Sequence, residues 1–122
     1  MMKRALIIED DIFIAMGIQD VLEAAGYEQV EMAVSAAEAI CIASNRSLDL
    51  ITAEDRLENG SGIDAVREIS RDQSTPVLFI VSDPEQVLRK IPGALVLEKP
   101  FTQNALAAAI EELGSGKLSS TD

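Results

Sequence analysis

The chain contains no histidine. Imidazole general bases, Ser-His and Cys-His dyads and His-ligated metal sites are excluded with it. Cysteine occurs once, at Cys41, so no internal disulfide or zinc cluster can form, and the lone thiol reads as a small buried side chain. Aromatic residues make up 3% of the chain, so the core must be aliphatic, built from Ile, Leu, Val, Ala and Met. Positive charge is scarce: Lys and Arg total 10 against 21 Asp and Glu, a formal charge of -11. Such a field repels phosphate backbones and anionic membranes, and it favours cations and basic partners. Long apolar runs are missing too. The short run after Met1-Met2-Lys3-Arg4 meets acid at Glu9, too short for a signal peptide or a membrane span, and a cytoplasmic location is expected.

What is present suits one soluble domain. There are 122 residues, 48% apolar and 25% charged. A chain this long buries about two thirds of its unfolded surface, enough for one core.

The chain alternates strand and helix. Ala5-Leu6-Ile7-Ile8 is an apolar run without alternation, as in a strand buried on both faces, and it ends in Glu9-Asp10-Asp11. Ile12, Phe13, Met16, Ile18, Val21 and Leu22 follow at near-helical spacing, with Gly26 as C-cap. Val30 to Val34 reads as a second strand, and polar Glu31 points to an edge position. Ser35-Ala36-Ala37-Glu38 matches a capping box and opens a helix through about Ser44. Leu48 to Ala53 is a third strand ending at Glu54-Asp55. The turn-rich Glu58-Asn59-Gly60-Ser61-Gly62 leads to a helix carrying Ile63, Val66 and Ile69. Pro76 introduces the strand Val77 to Val81, and Pro84 opens a short helix to Lys90. Ala94 to Leu97 is a fifth strand, and Thr102 caps a last helix from Gln103 to Leu113. This rhythm predicts a doubly wound five-stranded parallel sheet with helices on both faces. One domain is expected over 1–113, with a flexible polar tail over 114–122.

In such sheets the site lies beyond the carboxyl ends of the central strands. The first strand delivers Glu9, Asp10 and Asp11, the third Glu54 and Asp55, the fourth Val81, Ser82 and Asp83, and the fifth Lys99. Clustered carboxylates repel, and a hard cation, the lysine or raised pKa values must relieve them. Mg²⁺ suits such an all-oxygen set. A dinucleotide enzyme would need a glycine-rich turn where Glu9-Asp10-Asp11 stands. A hydrolase would need a Gly-x-Ser-x-Gly elbow, which the chain lacks.

Three segments carry a resemblance: Leu6-Ile7-Ile8-Glu9-Asp10-Asp11, Asp49 to Leu57 with Gly62 following, and Glu98-Lys99-Pro100-Phe101. Together, in this order, they resemble the receiver domain of two-component response regulators along essentially the whole chain to Leu113. The resemblance implies a flavodoxin-like (βα)5 fold and no enzyme beyond the receiver's own phosphoryl acceptance. It implies a sensor histidine kinase, a phosphotransfer protein or a downstream protein as partner. It implies that Glu9 and Asp10 hold Mg²⁺, with Glu54 supplying a further oxygen or else filling the metal site or pairing with Lys99, that the backbone carbonyl of Arg56 completes the metal shell, that Lys99 neutralises phosphoryl oxygens, and that the Lys99-Pro100 bond is cis. Asp11 is expected to cap the first helix instead, and the Arg56 side chain to be solvated.

The departures from the family pattern matter more. The phospho-acceptor position aligns with Glu54, and Asp55 reaches the crest only if the strand end bulges or slips by one residue. At the fourth strand the family's hydroxyl position falls on Val81; a shift by one would bring Ser82 there. The aromatic switch position is Val96. Glutamate reaches roughly a bond length further than aspartate. It carries fixed charge toward Lys99 and misplaces the attacking oxygen. The expectation is therefore an atypical receiver that signals through protein-protein interaction, with a conventional receiver phosphorylated at Asp55, or a phosphorylation-independent structural interaction module of the same fold, as alternatives. The exposed partner surface is expected on the first helix or around Ala94 to Leu106. The small residues Ala105, Ala107, Ala108 and Ala109 pack on the sheet or form a homodimer contact.

Overall fold

The structure is a computed structural model and describes residues 2–115. Strands β1 (Arg4–Ile8), β2 (Gln29–Ala33), β3 (Leu50–Ala53), β4 (Val77–Val81) and β5 (Leu95–Glu98) form one sheet in the order β2-β1-β3-β4-β5. Every pairing is parallel. The helices between and after them are α1 (Ile12–Ala24), α2 (Ala36–Ser44), α3 (Gly62–Ser70), α4 (Pro84–Lys90) and α5 (Gln103–Ser115). The expected architecture holds. Strand ends move by a residue or two, and α5 runs on through Gly114 to Ser115, where a tail was expected. The remainder of that tail, 116–122, lies outside the described residues.

Alternation along the strands splits the core in two. Leu6, Ile8, Ile51, Ala53, Phe79 and Val81 face α2, α3 and α4. Ala5, Ile7, Leu50, Leu78 and Ile80 face α1 and α5. Both clusters are almost wholly aliphatic, as the scarcity of aromatics requires.

Caps fix the helix starts at the crest. Asp11 accepts from the N–H groups of Phe13 (3.0 Å) and Ile14 (3.3 Å). Ser35 accepts from Glu38, while Glu38 reaches back to the N–H of Val34. Ser61, Asp83 and Thr102 cap α3, α4 and α5 in the same way. Gly26 follows α1 with φ +101°, a conformation that suits glycine.

One sequence expectation is corrected. Cys41 is exposed, not buried. Helix α2 turns Ala39 and Ala43 inward, and residue 41, two positions from each, lies on the opposite side. In α1 only Ala15, Ile18, Val21 and Leu22 are buried. Ile12, Phe13 and Met16 lie off that buried face and stay in solvent, Phe13 at 81% exposure.

Candidate functional site at the carboxyl crest

The backbone ladder continues one residue past three strands and fixes the site. The N–H of Glu9 donates to the carbonyl of Ala33, that of Glu54 to Ile8, and that of Lys99 to Val81. By alternation Glu9 follows Ile7, Glu54 follows Thr52, and Lys99 follows Leu97. All three therefore fall on the α1/α5 side of the crest. Asp55 continues Ile51 and Ala53 and falls on the other side.

Lys99 closes the cluster. Its Nζ lies 2.8 Å from Glu9 Oε1 and 2.8 Å from Glu54 Oε2. Glu9 and Glu54 are 2% and 7% exposed. Their remaining oxygens are also used. Glu9 Oε2 accepts from the N–H of Asp11 at 3.1 Å, and Glu54 Oε1 accepts from the N–H of Asp55 at 2.7 Å. Burial raises the pKa of Glu9 despite the bonds from Lys99 and Asp11, which pull it down. Burial opposes the charge of Lys99, but its bonds to Glu54 and Glu9 outweigh that and raise its pKa.

The other residues expected at the site are placed as follows. Asp10 accepts from the N–H of Glu58 at 2.7 Å, tying the first crest loop to the third. Asp55 is buried, and its Oδ1 accepts from Ser61 Oγ at 2.9 Å. Arg56 is largely solvated, and its Nη2 donates to Gln86 at 2.8 Å at the start of α4. Val81 is 1% exposed inside the α2/α3/α4 core, so no hydroxyl stands there. Ser82 is exposed and lines a small crest cavity of about 220 Å³ with Glu54, Arg56 and Gln86. Val96 is half-buried on the edge strand β5. The Lys99-Pro100 bond is cis.

Sequence reasoning missed Ser61 and Gln86, which orient Asp55 and Arg56. A serine three residues before Asp64 at a helix start was the available signal for Ser61. Gln86 carries no comparable signal. A larger groove of about 810 Å³ runs between α1 and α5, and neither Lys99 nor the crest acids line it.

A five-stranded doubly wound sheet with buried acids and one lysine at its crest is the plan of a receiver. The chain belongs to the response regulator receiver domain family, which matches residues 5–111. It is a regulatory domain of two-component signalling, not an enzyme. It is 34% identical over 116 residues to the phyllosphere-induced regulator PhyR of Methylorubrum extorquens, a match covering 92% of this chain and 43% of that protein. It is 32% identical to the transcriptional regulatory protein PdtaR of Mycobacterium tuberculosis, covering 89% of this chain and 55% of the relative. The crystal structure of the anti-anti-sigma factor PhyR from Bartonella quintana superposes with a TM-score of 0.79 at 32% identity, covering 98% of this chain and 50% of that one. The chain thus spans about half the length of the curated relatives it matches. No helix among the described residues is long and apolar enough to cross a membrane.

Receiver domains generally bind Mg²⁺ at their acidic site. Here the donors are committed elsewhere: Glu9 and Glu54 to Lys99, and Asp10 to the backbone of Glu58. Among the described residues no group of three or more Asp, Glu, Cys or His side chains is arranged to hold a metal ion. In this arrangement the acidic set does not fit Mg²⁺.

Proposed function

We propose that this domain is an atypical receiver that signals by binding other proteins, its conformation set by the Glu9–Lys99–Glu54 cluster and not by phosphoryl transfer to residue 54. One observation carries the reading. Lys99, the group that would meet phosphoryl oxygens, is held 2.8 Å from the carboxylate occupying the acceptor position. A glutamate there supplies one fixed charge where a phosphoryl group would supply nearly two. The aliphatic Val81 also supports it, because no hydroxyl at that position can follow a phosphoryl group. The rival acceptor, Asp55, is turned toward Ser61 and away from Lys99.

The expected partner is a protein: a sensor histidine kinase, a phosphotransfer protein or a downstream regulator. The Bartonella quintana relative, an anti-anti-sigma factor, favours the last. The solvent-exposed Ile12, Phe13 and Met16 offer such a protein an apolar contact on α1. Exposed Ala105, Ala107 and Ala108 on α5 leave a homodimer open to sizing with Ala108→Glu. The net charge of -11 argues against direct nucleic-acid or membrane contact and suits a cytoplasmic protein partner. Mg²⁺ at Glu9, Asp10, Glu54 and the Arg56 carbonyl belongs to this reading only in competition with Lys99. An Mg²⁺-dependent melting shift is expected to be larger in Lys99→Met than in the natural sequence.

The test is intact mass after incubation with acetyl phosphate and Mg²⁺. The chain is expected to remain unmodified. A gain of one phosphoryl mass, abolished by Glu54→Gln or by Asp55→Asn, overturns the proposal and names the acceptor.

A further inference from the structure

At the end of the sheet away from the crest, the last turns of α3 and α4 enclose a shallow cleft of about 400 Å³, lined by Val66, Arg67, Ser70, Arg71, Lys90 and Ile91. Three of the chain's 10 cations gather there, and among the described residues no carboxylate lines the cleft, although the chain carries 21 acids. The local charge is therefore opposite to the net charge.

Cations in last helical turns offset the helix dipole, and that accounts for part of the pattern. Arg67 Nη2 donates to the carbonyl of Lys90 at 2.9 Å and so serves the end of α4. The other two are less committed. Among the described residues Arg71 pairs only with Glu68, at 3.1 Å, in an exposed i,i+3 pair of the kind that contributes little. The Lys90 ammonium has no ion pair among the described residues. Between these charges lies an apolar floor, Val66 buried and Ile91 half-buried.

We infer that this cleft docks an acidic segment of a partner protein, with carboxylates on Arg71 and Lys90 and one apolar side chain on Val66 and Ile91. Charge complementarity selects the acid, and the floor selects a peptide. A nucleic acid would lay a phosphate backbone along three cations, and it would have nothing to place on the floor. The cleft is separate from the Glu54 site, so this inference stands or falls independently of the proposed signalling mechanism.

The full chain is titrated with a short synthetic peptide carrying one leucine flanked by glutamates, with its glutamine analogue, and with a single-stranded oligonucleotide. Fluorescence anisotropy and methyl NMR report binding. The acidic peptide is expected to bind and to move the methyl signals of Val66 and Ile91. Its affinity should fall on raising salt, and by about tenfold in Lys90→Glu and in the milder Arg71→Gln, both melting close to the natural sequence. The glutamine analogue should bind at least as weakly as the peptide binds Lys90→Glu. Peptide affinity unchanged in both variants, or methyl signals that stay still, overturns the inference. So does tighter binding of the oligonucleotide through the same residues. Self-association of the chain that Lys90→Glu abolishes also overturns it, because the occupant is then a second copy.

Discussion

A Cβ placed on Gly62 would stand 1.8 Å from the carbonyl oxygen of Glu54 and 2.8 Å from its carbonyl carbon. Both are backbone atoms, so no rotamer relieves the contact. The Gly62 N–H also donates to the carbonyl of Asp55 at 2.8 Å. The first residue of α3 thus rests directly on the strand tip that holds Glu54. Replacing Gly62 with alanine must push that tip or the helix aside. Overpacking costs about 1–3 kcal/mol, and a clash with backbone alone belongs at or above the top of that range. Gly62→Ala is expected to lower the melting temperature markedly and to shift the amide signals of Glu54 to Arg56. A variant that melts like the natural sequence with unmoved amides would show that the tip is slack.

Much of this was legible in the sequence, for definite reasons. Unbroken apolar runs such as Val77 to Val81 announce doubly buried strands, and the acids after them mark the crest. Period-two alternation is enough to put Glu54, and not Asp55, on the side of Lys99. The capping residues Asp11, Ser35 and Thr102 were readable because their chemistry is local. What was not readable depends on contacts between distant segments. Asp10 on the Glu58 backbone, Arg56 on Gln86 and Ser61 on Asp55 are set by how loops cross the crest. An apolar residue type does not by itself say that a side chain packs on the sheet. Phe13 and Met16 fall outside the stripe of Ala15, Ile18, Val21 and Leu22 that α1 turns inward, and they stay in solvent.

Removing the cation from the cluster should be costly and pH-dependent. Lys99→Met leaves Glu9 and Glu54 buried together with no neutralising group. Breaking a buried pair from one side costs about 3–5 kcal/mol. Glu9 already holds its proton more firmly in the fold than in the unfolded chain, mainly through burial. An acid with a raised folded pKa contributes stability at low pH and loses it as pH rises from its ordinary value of 4.5 through the folded one. Without Lys99 that proton should be held more firmly still. The stability gap between Lys99→Met and the natural sequence is therefore expected to be wide at neutral pH and to narrow as pH falls toward 4.5. Denaturant titrations across that range measure it, and a gap independent of pH would separate Glu9 from the effect.

At the alkaline end two groups act in the same direction. The folded chain raises Lys99 above its ordinary 10.5 through its bonds to Glu54 and Glu9, which outweigh burial. It raises Tyr27 above 10.0 through burial and the nearby charge of Asp49. In both cases the folded state binds the proton more tightly than the unfolded chain. The stability each contributes is complete below its ordinary pKa and is lost as pH rises through the folded value. The melting temperature is expected to fall as pH climbs above about 10. Tyr27→Phe should remove part of the slope and Lys99→Met another part. If neither variant changes the slope, other groups govern the alkaline limit.

Glu54→Asp tests whether side-chain length alone withholds phosphoryl chemistry. Shortening the acid by a methylene draws its carboxylate back from Lys99 and returns the attacking oxygen toward the strand tip. A misplacement of about 1 Å costs on the order of a hundredfold in rate, so the reverse change should give measurable incorporation from acetyl phosphate with Mg²⁺. Val81→Thr adds the missing hydroxyl, but it does so at a 1% exposed position inside an apolar cluster. A buried hydroxyl without a partner is unfavourable by about 1–3 kcal/mol. The threonine should therefore destabilise the unmodified domain and contribute only once a phosphoryl group accepts its hydrogen bond. The expected order of incorporation is Glu54→Asp with Val81→Thr first, Glu54→Asp second, and the natural sequence last at none. Because the hydroxyl gains its partner only on modification, the double variant should also show a larger rise in melting temperature on phosphorylation than Glu54→Asp alone. If aspartate at position 54 remains unmodified in both variants, then the wider crest, with Arg56 joined to Gln86 and Asp10 to Glu58, closes the site independently of the acid's length.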